Sequence, residues 1–443
     1  MMRLGGWRSA LVVLAAAMGM FAGGVLFTRG GPVQTVAPSG PATGPSAVTA
    51  VSAGDLTGAI NSLQARLRRL PEDQLAWAAL GTTYVQQAAV TGDPGYYPKA
   101  QGALERSLEL MPRDNAEALT GLASLSAARH DFAAARAEAD QARQINPYSA
   151  ANFGVLSDAL LQLGRYRRSF HALQRMLDLQ PGVPSFTRAS YAWELRGELR
   201  PARVALERAL ALASRPSDRA YCEYYLGELA WNAGDLGEAG AHYAQGLRED
   251  PAYVPLLAGQ AKVAAAEGRT ELALRRYRAL VQRLPVPTHL IAYADLLASL
   301  GRDRQARRQE AVVVATQKLF EAQGVNVDLE LALFDANRGR GATAVRAARR
   351  AWDTQPSVEA ADAFGWALHA SGRDRAGWQY ARKAARLGTK SASFAYHRGM
   401  IEKSLGRETA ARRSLRAALE TNPYFSPLHA ARARMALRAL TRR

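Results

Sequence analysis

Residues 224–251 of the chain read YYLGELAWNAGDLGEAGAHYAQGLREDP. Apolar residues recur at three- and four-residue steps on both sides of Gly234, which is the pattern of two amphipathic helices joined by a short turn. Gly227 and Ala239 are small enough to let the two helices approach closely, and Pro251 ends the second helix. The stretch therefore predicts a helical hairpin.

The same hairpin pattern recurs along most of the 443 residues. Turn glycines are spaced by 33, 37, 34, 33, 38, 33 and 34 residues, at Gly164, Gly197, Gly234, Gly268, Gly301, Gly339, Gly372 and Gly406. Prolines separate successive hairpins, at Pro112, Pro147, Pro181, Pro251, Pro285, Pro356 and Pro423. Because a single hairpin cannot bury its apolar face alone, stacked neighbours must share one continuous core.

This unit resembles the tetratricopeptide repeat family. Its pattern of large, Leu-Gly, aromatic and Ala positions is met by Trp77, Leu80, Gly81 and Tyr84 in the first unit and by the residues of 224–251. The resemblance covers about ten units over residues 72–423. It implies an all-α fold, a right-handed α-solenoid of helix-turn-helix repeats over residues 55–443, closed by a capping helix over 424–443.

Three departures from the repeat pattern are visible in the sequence. The first unit has an insertion around residues 91–98, His130 stands where a turn glycine is usual, and the unit after Pro285 lacks a closing proline. A coiled coil is the competing helical fold. It is disfavoured because the apolar heptads are interrupted too often by Gly or Pro.

The N-terminal segment, residues 1–30, is predicted to interact with a membrane. Arg3 and Arg8 precede a run of 19 uncharged residues from Ser9 to Phe27, which is long enough to cross a bilayer as a helix. An uncleaved anchor is favoured over a cleaved signal peptide because no small-residue cleavage site directly follows the apolar run. The positive charge before the run predicts that the solenoid lies outside the cytoplasm. Cleavage would instead give a secreted or periplasmic protein.

Residues 31–54 consist of Gly, Pro, Ala, Ser, Thr and Val with one Gln and no charge, which predicts a disordered linker. Cys222 is the single cysteine in the sequence, so an intramolecular disulfide is excluded. Its apolar surroundings in the sequence predict a buried structural thiol.

Catalytic and cofactor motifs are missing from the sequence, which lacks metalloprotease, phosphate-loop, nucleophile-elbow and paired-cysteine signatures. The seven histidines do not form an i, i+4 pair of the metal-binding type. Since repeats occupy residues 72–423, no space is left there for a separate catalytic domain. We therefore expect no enzyme activity and no cofactor.

The family resemblance implies that the first helix of each unit lines a concave groove, with ligand contacts at its second, fifth, ninth and twelfth positions. These positions predict a groove for an apolar-anchored peptide, lined by Tyr191, Tyr221, Tyr224, Glu228, Trp231, Lys262, His289, Asp295, Asp362, Trp366, His369 and Tyr396. The groove is aromatic and partly acidic. Packing between repeats is the alternative role for several of these side chains.

Lys and Arg number 57 against 39 Asp and Glu, and the excess is concentrated on second helices. These helices predict a basic convex face, formed by Arg275, Arg276, Arg278, Arg304, Arg307, Arg308, Arg346, Arg349, Arg350, Arg412, Arg413 and Arg416. Anionic lipid near the anchor is a fitting neighbour for this face. Nucleic acid is disfavoured, because the aromatic interleaving used for base stacking is missing.

Two hypotheses follow from the sequence. The first is a membrane-tethered scaffold, or adaptor, that binds a protein or peptide partner in its groove. The second is an electrostatic binder of anionic polymers or membranes through the arginine-rich face. Salt separates them, since charge-driven binding weakens steeply with ionic strength.

Overall fold

A computed structural model describes residues 56–441 of the chain. Within this range the chain forms 22 α-helices, one short 3-10 helix and no β-strand. The first eleven helices are α1 (Leu56–Arg69), α2 (Gln74–Thr91), α3 (Tyr96–Leu110), α4 (Ala116–Ala128), α5 (Phe132–Ile145), α6 (Ala150–Gln162), α7 (Tyr166–Leu179), α8 (Val183–Leu195), α9 (Leu199–Leu212), α10 (Pro216–Asn232) and α11 (Leu236–Glu249). The others are α12 (Val254–Ala266), α13 (Thr270–Arg283), α14 (Pro287–Ser299), α15 (Asp303–Ala322), α16 (Asp328–Asn337), α17 (Gly341–Thr354), α18 (Val358–Ala370), α19 (Asp374–Ala384), α20 (Ala392–Ser404), α21 (Glu408–Thr421) and α22 (His429–Thr441).

Helices α2 to α21 form ten consecutive hairpins, called units 1 to 10 here. The first helices of neighbouring units contact one another along the solenoid, whereas contacts between neighbouring second helices are sparse. First helices therefore lie on the shorter, concave side, and we call them inner helices and the second helices outer helices. The prediction of an all-helical tetratricopeptide-type solenoid of about ten units is confirmed.

The predicted turn glycines all adopt the left-handed backbone conformation, with φ between 65° and 80°. Glycine suits these positions because it lacks the Cβ atom that makes this region costly for other residues. His130 takes the same conformation, with φ of 62°, where the sequence departs from the glycine pattern. The predicted hairpin turns are therefore confirmed, including the one without glycine.

Close packing inside a hairpin depends on small residues, as the 224–251 stretch predicts. Tyr243 of the outer helix α11 is completely buried, and its ring lies against Gly227 and Gly259 of two inner helices. A Cβ atom at Gly259 would lie 2.6 Å from the Tyr243 ring, and one at Gly227 would also overlap it. Two glycines thus create the space that one aromatic ring fills.

After six units, one superhelical turn of the solenoid comes into contact with the next. Unit 2 contacts the loop before unit 8, and units 3, 4 and 5 likewise contact the loops before unit 9, unit 10 and α22. Unit 1 shares an apolar cluster with Leu284 and Val286, which precede unit 7. One superhelical turn therefore rests directly on the next, and we call this contact the seam.

Hydrogen bonds hold the seam at each step. The backbone N–H of Asn326 donates to the Arg129 carbonyl at 2.9 Å, and the carbonyl of Asn326 lies 2.6 Å from Nδ1 of His130. In the next step, the N–H of Val358 donates to the Tyr166 hydroxyl at 2.8 Å. His130 thus contributes a bond across the seam that a glycine would lack.

Further along, Thr389 donates its hydroxyl to the Leu195 carbonyl at 2.5 Å, and the Asn422 side-chain amide donates to the Trp231 carbonyl at 2.7 Å. These partners are 194 and 191 residues apart in the chain. A pattern that repeats within a single unit carries no signal for such contacts.

The irregular intervals of the sequence have structural causes. Helix α10 begins at Pro216 and has 17 residues, while α15 has 20 and runs to Ala322, whereas most inner helices have 13 residues and most outer helices 14. Within the predicted capping segment 424–443, the helix α22 begins at His429 and has exposed arginines at 432, 434 and 438. The predicted anchor and linker lie outside the described residues. Within residues 56–441, no helix is both long and apolar enough to span a membrane.

Candidate functional site

The predicted groove residues all lie on inner helices, but they differ in burial. Tyr224, Asp362, Trp366 and Tyr396 are buried in the core. The remaining members keep partial access to solvent, with the exception of His289, which is only 5% exposed. The structure therefore separates this set into core residues and half-buried residues that line the concave side.

The half-buried residues of units 5 and 6 form a connected group. Nζ of Lys262 lies 2.7 Å from both carboxylate oxygens of Glu228 and 4.8 Å from the centroid of the Trp231 ring. The Tyr243 hydroxyl also donates to Glu228, at 2.7 Å. A carboxylate and an aromatic face together hold one ammonium group here.

A second carboxylate group lies beside the first and crosses the seam. The Tyr191 hydroxyl of unit 4 donates to Oε1 of Glu359 in unit 9 at 2.8 Å, and the Asn232 amide donates to Oε1 of Glu194 at 2.7 Å. Burial, aided by the charges of Glu228 and Glu359 and opposed by the Asn232 hydrogen bond, raises the pKa of Glu194 to about 7. The shift therefore reflects mainly the loss of hydration on burial, with a smaller contribution from the neighbouring negative charges.

Tyrosines pack next to these carboxylates. Tyr225 contacts Tyr221 and Tyr224 with ring centroids 4.8 and 5.1 Å apart, and Tyr253 contacts Tyr224 at 6.1 Å. Burial raises the pKa of each of these four hydroxyls, so they stay neutral donors at ordinary pH. Tyr225 and Tyr253 fall outside the predicted groove positions, although the run at 221–225 contains one of them.

A second aromatic cluster occupies units 9 and 10 and the cap. The Trp366 ring stacks on His397 at 4.3 Å and on His369 at 4.9 Å, and its Nε1 donates to Asn337. Asp362 lies 2.8 Å from Nδ1 of His397. Because Trp366 and Asp362 are buried and bonded within this cluster, their observed contacts are those of packing between repeats.

Asp295 lies on the inner helix of unit 7, between the two clusters in the chain. It is paired with Arg338 at 3.1 Å, and Arg338 also bonds Glu310. Burial, opposed by the Arg338 charge, raises the pKa of Asp295 to about 6. His289 is the most isolated polar member of the predicted groove, because its buried Nε2 atom has no hydrogen-bond partner. Burial and the neighbouring Lys262 charge lower its pKa to about 4.

Sequence reasoning missed Glu194 and Glu359. With the helix bounds of the structure, Glu194 is the twelfth residue of α8 and Glu359 the second residue of α18. Both are positions at which the family resemblance implies ligand contacts. The signal was therefore present, and the helix bounds supply the register needed to use it.

The predicted basic face lies on outer helices, in α13, α15, α17 and α21. Ten of its twelve arginines are exposed, and Arg276 and Arg412 are half-buried. Arg350 pairs with Asp328, and the Arg276 guanidinium donates to the Gln260 carbonyl. Most of the face therefore presents its charge to solvent.

Metal and thiol chemistry find no support in residues 56–441. No group of three or more His, Cys, Asp or Glu side chains is arranged there to hold a metal ion. Cys222 is completely buried, and burial raises the pKa of its thiol to about 12. The predicted burial of this cysteine is therefore confirmed.

Comparison with known proteins agrees with the observed fold. Residues 392–425, which contain α20 and α21, match the family model described as "Tetratricopeptide repeat". No curated protein matches the chain by sequence. The chain is thus an α-solenoid of tetratricopeptide type, a class of generally non-catalytic scaffolds that bind other proteins.

Solved structures with similar folds include a tetratricopeptide repeat protein of Thermus thermophilus, with 25% identity, 43% of this chain and 99% of that chain covered, and a TM-score of 0.37. A tetratricopeptide repeat protein of Parabacteroides merdae is 17% identical, with 58% of this chain and 98% of that chain covered and a TM-score of 0.35. The human IFIT1 dimer with PPP-AAAA is 14% identical, with coverage of 83% and 86% and a TM-score of 0.46.

Proposed function

We propose that this protein is a non-enzymatic scaffold that holds a protein partner against its inner helices, tethered to a membrane by its N-terminal segment and facing away from the cytoplasm. The observation that carries the proposal is the half-buried set of Tyr191, Glu228, Trp231 and Lys262 on adjoining inner helices. Aromatic rings offer stiff apolar contact area, and the charged groups beside them give orientation.

The tether rests on the sequence of residues 1–54. A run of 19 uncharged residues followed by an uncharged linker suits a solenoid that works close to a membrane surface. The test is fractionation of cells that express the full chain, followed by protease treatment of intact spheroplasts. Retention in the membrane pellet with loss of the solenoid to external protease supports the topology. A soluble or protected solenoid contradicts it.

The partner is tested by crosslinking and capture from membranes at low and high salt. The variant Tyr191→Ala with Trp231→Ala removes two half-buried inner rings, and the control Tyr148→Ala with Tyr424→Ala removes two exposed ones. A partner that is lost from the inner variant, retained by the control and stable to salt supports groove binding. A partner that the inner variant still captures contradicts it.

The exposed arginines of the outer helices favour a second candidate function, the binding of anionic lipid or another anionic polymer. The variant Arg304→Gln with Arg307→Gln and Arg308→Gln tests it. Under this alternative, capture falls in the outer variant and collapses at high salt, because such binding depends on released counterions and unscreened charge.

A further inference from the structure

The charge of the solenoid is divided between its inner and outer helices. The ten inner helices carry 13 acidic and 5 basic residues, a net charge of −8, whereas the ten outer helices carry 16 acidic and 28 basic residues, a net charge of +12. The chain as a whole has a net charge of +18. The inner helices are thus acidic within a strongly basic protein.

Four of the 13 carboxylates on inner helices have no cationic partner among residues 56–441, namely Glu117, Glu194, Glu330 and Glu359. Glu194 and Glu359 are the two whose charges act on Tyr191. Glu194 accepts a hydrogen bond from the Asn232 amide and Glu359 from the Tyr191 hydroxyl, and neither forms an ion pair with any residue in 56–441. The second carboxylate oxygen of Glu359, Oε2, is buried without a hydrogen-bond partner. A buried carboxylate oxygen without a partner destabilises the folded state unless a cation or a hydrogen-bond donor binds it.

Lys262 shows what kind of group completes such a site. Its ammonium group bonds both oxygens of Glu228 and lies over the rings of Trp231 at 4.8 Å and Tyr243 at 5.6 Å. Glu194 and Glu359 lie close enough for the charge of Glu359 to help raise the pKa of Glu194, and the Tyr191 hydroxyl bonds Glu359, but no cation of residues 56–441 pairs with either carboxylate. The inner wall thus holds one carboxylate site filled by an ammonium group and, beside it, two carboxylates without a cation from the described part of the chain.

A polar side chain beside the Glu228–Lys262 pair on the same wall also lacks a partner among the described residues. His289 is 5% exposed, its Nε2 atom is unpartnered, and it lies close enough to Lys262 for that charge to lower its pKa. The neutral imidazole next to the filled site thus has an unused hydrogen-bonding atom. Partial exposure of Glu228 and Lys262, at 24% and 21%, leaves this wall open to solvent.

We infer that the inner wall of units 4 to 7 and unit 9 binds a peptide segment that carries lysine or arginine, whose cationic group is held between Glu194 and Glu359 beside Tyr191. The inference rests on the proposed scaffold function and specifies that the partner presents a cationic side chain. Because Tyr191 and Glu359 meet across the seam, the site exists only while the two superhelical turns are in contact.

Peptide titration of the full chain, kept in a neutral detergent, tests the inference. The probe is a fluorescent peptide that repeats Ala-Lys-Ala three times, and the matched probe has Gln in place of each Lys. The net charge of the protein repels a cationic peptide, so bulk electrostatics opposes the expected result. We expect the Lys peptide to bind about tenfold more tightly than the Gln peptide.

Two matched variants locate the binding. Glu194→Gln with Glu359→Gln keeps one acceptor oxygen on each side chain and removes both charges, whereas Glu207→Gln with Glu420→Gln removes two exposed charges from outer helices. We expect the inner variant to weaken binding of the Lys peptide about tenfold and the outer variant to leave it unchanged. Thermal melting of both variants verifies that they fold.

Equal binding of the Lys and Gln peptides, or equal losses in the two variants, overturns the inference. So does a lack of measurable binding by the Lys peptide. The scaffold function is judged separately by partner capture. If capture depends on Tyr191 and Trp231 but the inner carboxylate variant binds the Lys peptide normally, the scaffold function is supported and the inference of a cationic segment is contradicted.

Discussion

Inner and outer helices of this solenoid have similar lengths and the same repeat but opposite surroundings. Inner helices contact the preceding unit, the following unit and, through the seam, the next superhelical turn, so α6 and α18 are buried on nearly every side. Outer helices keep one exposed face and have most of the positive charge. The comparison shows that the same hairpin presents a largely buried wall on one side and a solvated wall on the other.

The seam extends this difference. In an open solenoid the inner helices are lined up along an accessible groove, whereas here contact between turns after six units buries part of that surface. Predicted groove residues therefore divide into packed ones such as Trp366 and accessible ones such as Trp231. A ligand has to use the accessible ones.

The largest expected effect concerns the junction of inner and outer helices. Tyr243→Ala empties the space between Gly227 and Gly259 and removes a hydrogen bond to Glu228, so we expect a loss of about 3 to 5 kcal/mol in unfolding free energy. Urea denaturation followed by circular dichroism measures it. The control Tyr424→Ala removes a ring that is 37% exposed, and its effect should stay below about 1 kcal/mol. Equal losses in both variants contradict the difference in packing.

The next effect concerns the seam. Gly164 and Gly301 have φ of 65° and 70°, so alanine at either position meets the same backbone penalty of about 1 kcal/mol. Only at Gly164 does the new Cβ atom meet the other turn, 2.5 Å from the Pro356 carbonyl oxygen, while Gly301 has no neighbour within 4 Å. We expect Gly164→Ala to cost about 1 to 3 kcal/mol more than Gly301→Ala, measured by the same denaturation. Identical costs imply that the two turns are not held together in solution.

The smallest effect concerns the acidic inner wall and depends on pH. The folded-state pKa of Glu194, about 7, lies above its unfolded value of 4.5, so its contribution to stability is complete below pH 4.5 and is lost as pH rises through 7. We expect Glu194→Gln to be more stable than the wild type by about 1 to 2 kcal/mol at pH 8 and equal to it near pH 4. Thermal melts across this range measure the difference. A constant difference at all pH values, or the same change in Glu207→Gln, contradicts it.

Much of the fold could be predicted because its determinants are local. Glycine turns, closing prolines and the Leu-Gly pairs each act within one unit, so their spacing predicts the ten hairpins and the inner and outer roles of their helices. The distribution of charge is also set locally. The sequence positions of the arginine clusters at 275–278 and 304–308 are enough to assign them to outer helices. The burial of Cys222 follows from its apolar surroundings.

The site was predicted less completely because its members come from distant units. Tyr191 and Glu359 are 168 residues apart and meet only because six units complete one superhelical turn. Trp366 has the sequence pattern of a groove residue, yet His397 and Asn337 from neighbouring units surround it. Neither fact has a signal in the sequence of a single repeat.

The sequence by itself determined the hairpin, its number of copies and the opposite charges of its two helices, because each depends on residues within about one repeat length. The tertiary structure alone decided where the turns of the superhelix meet and which inner carboxylates are left without a cation. The physical reason is that small rotations between units add up along a solenoid. Contacts across the seam depend on that sum and not on any one unit.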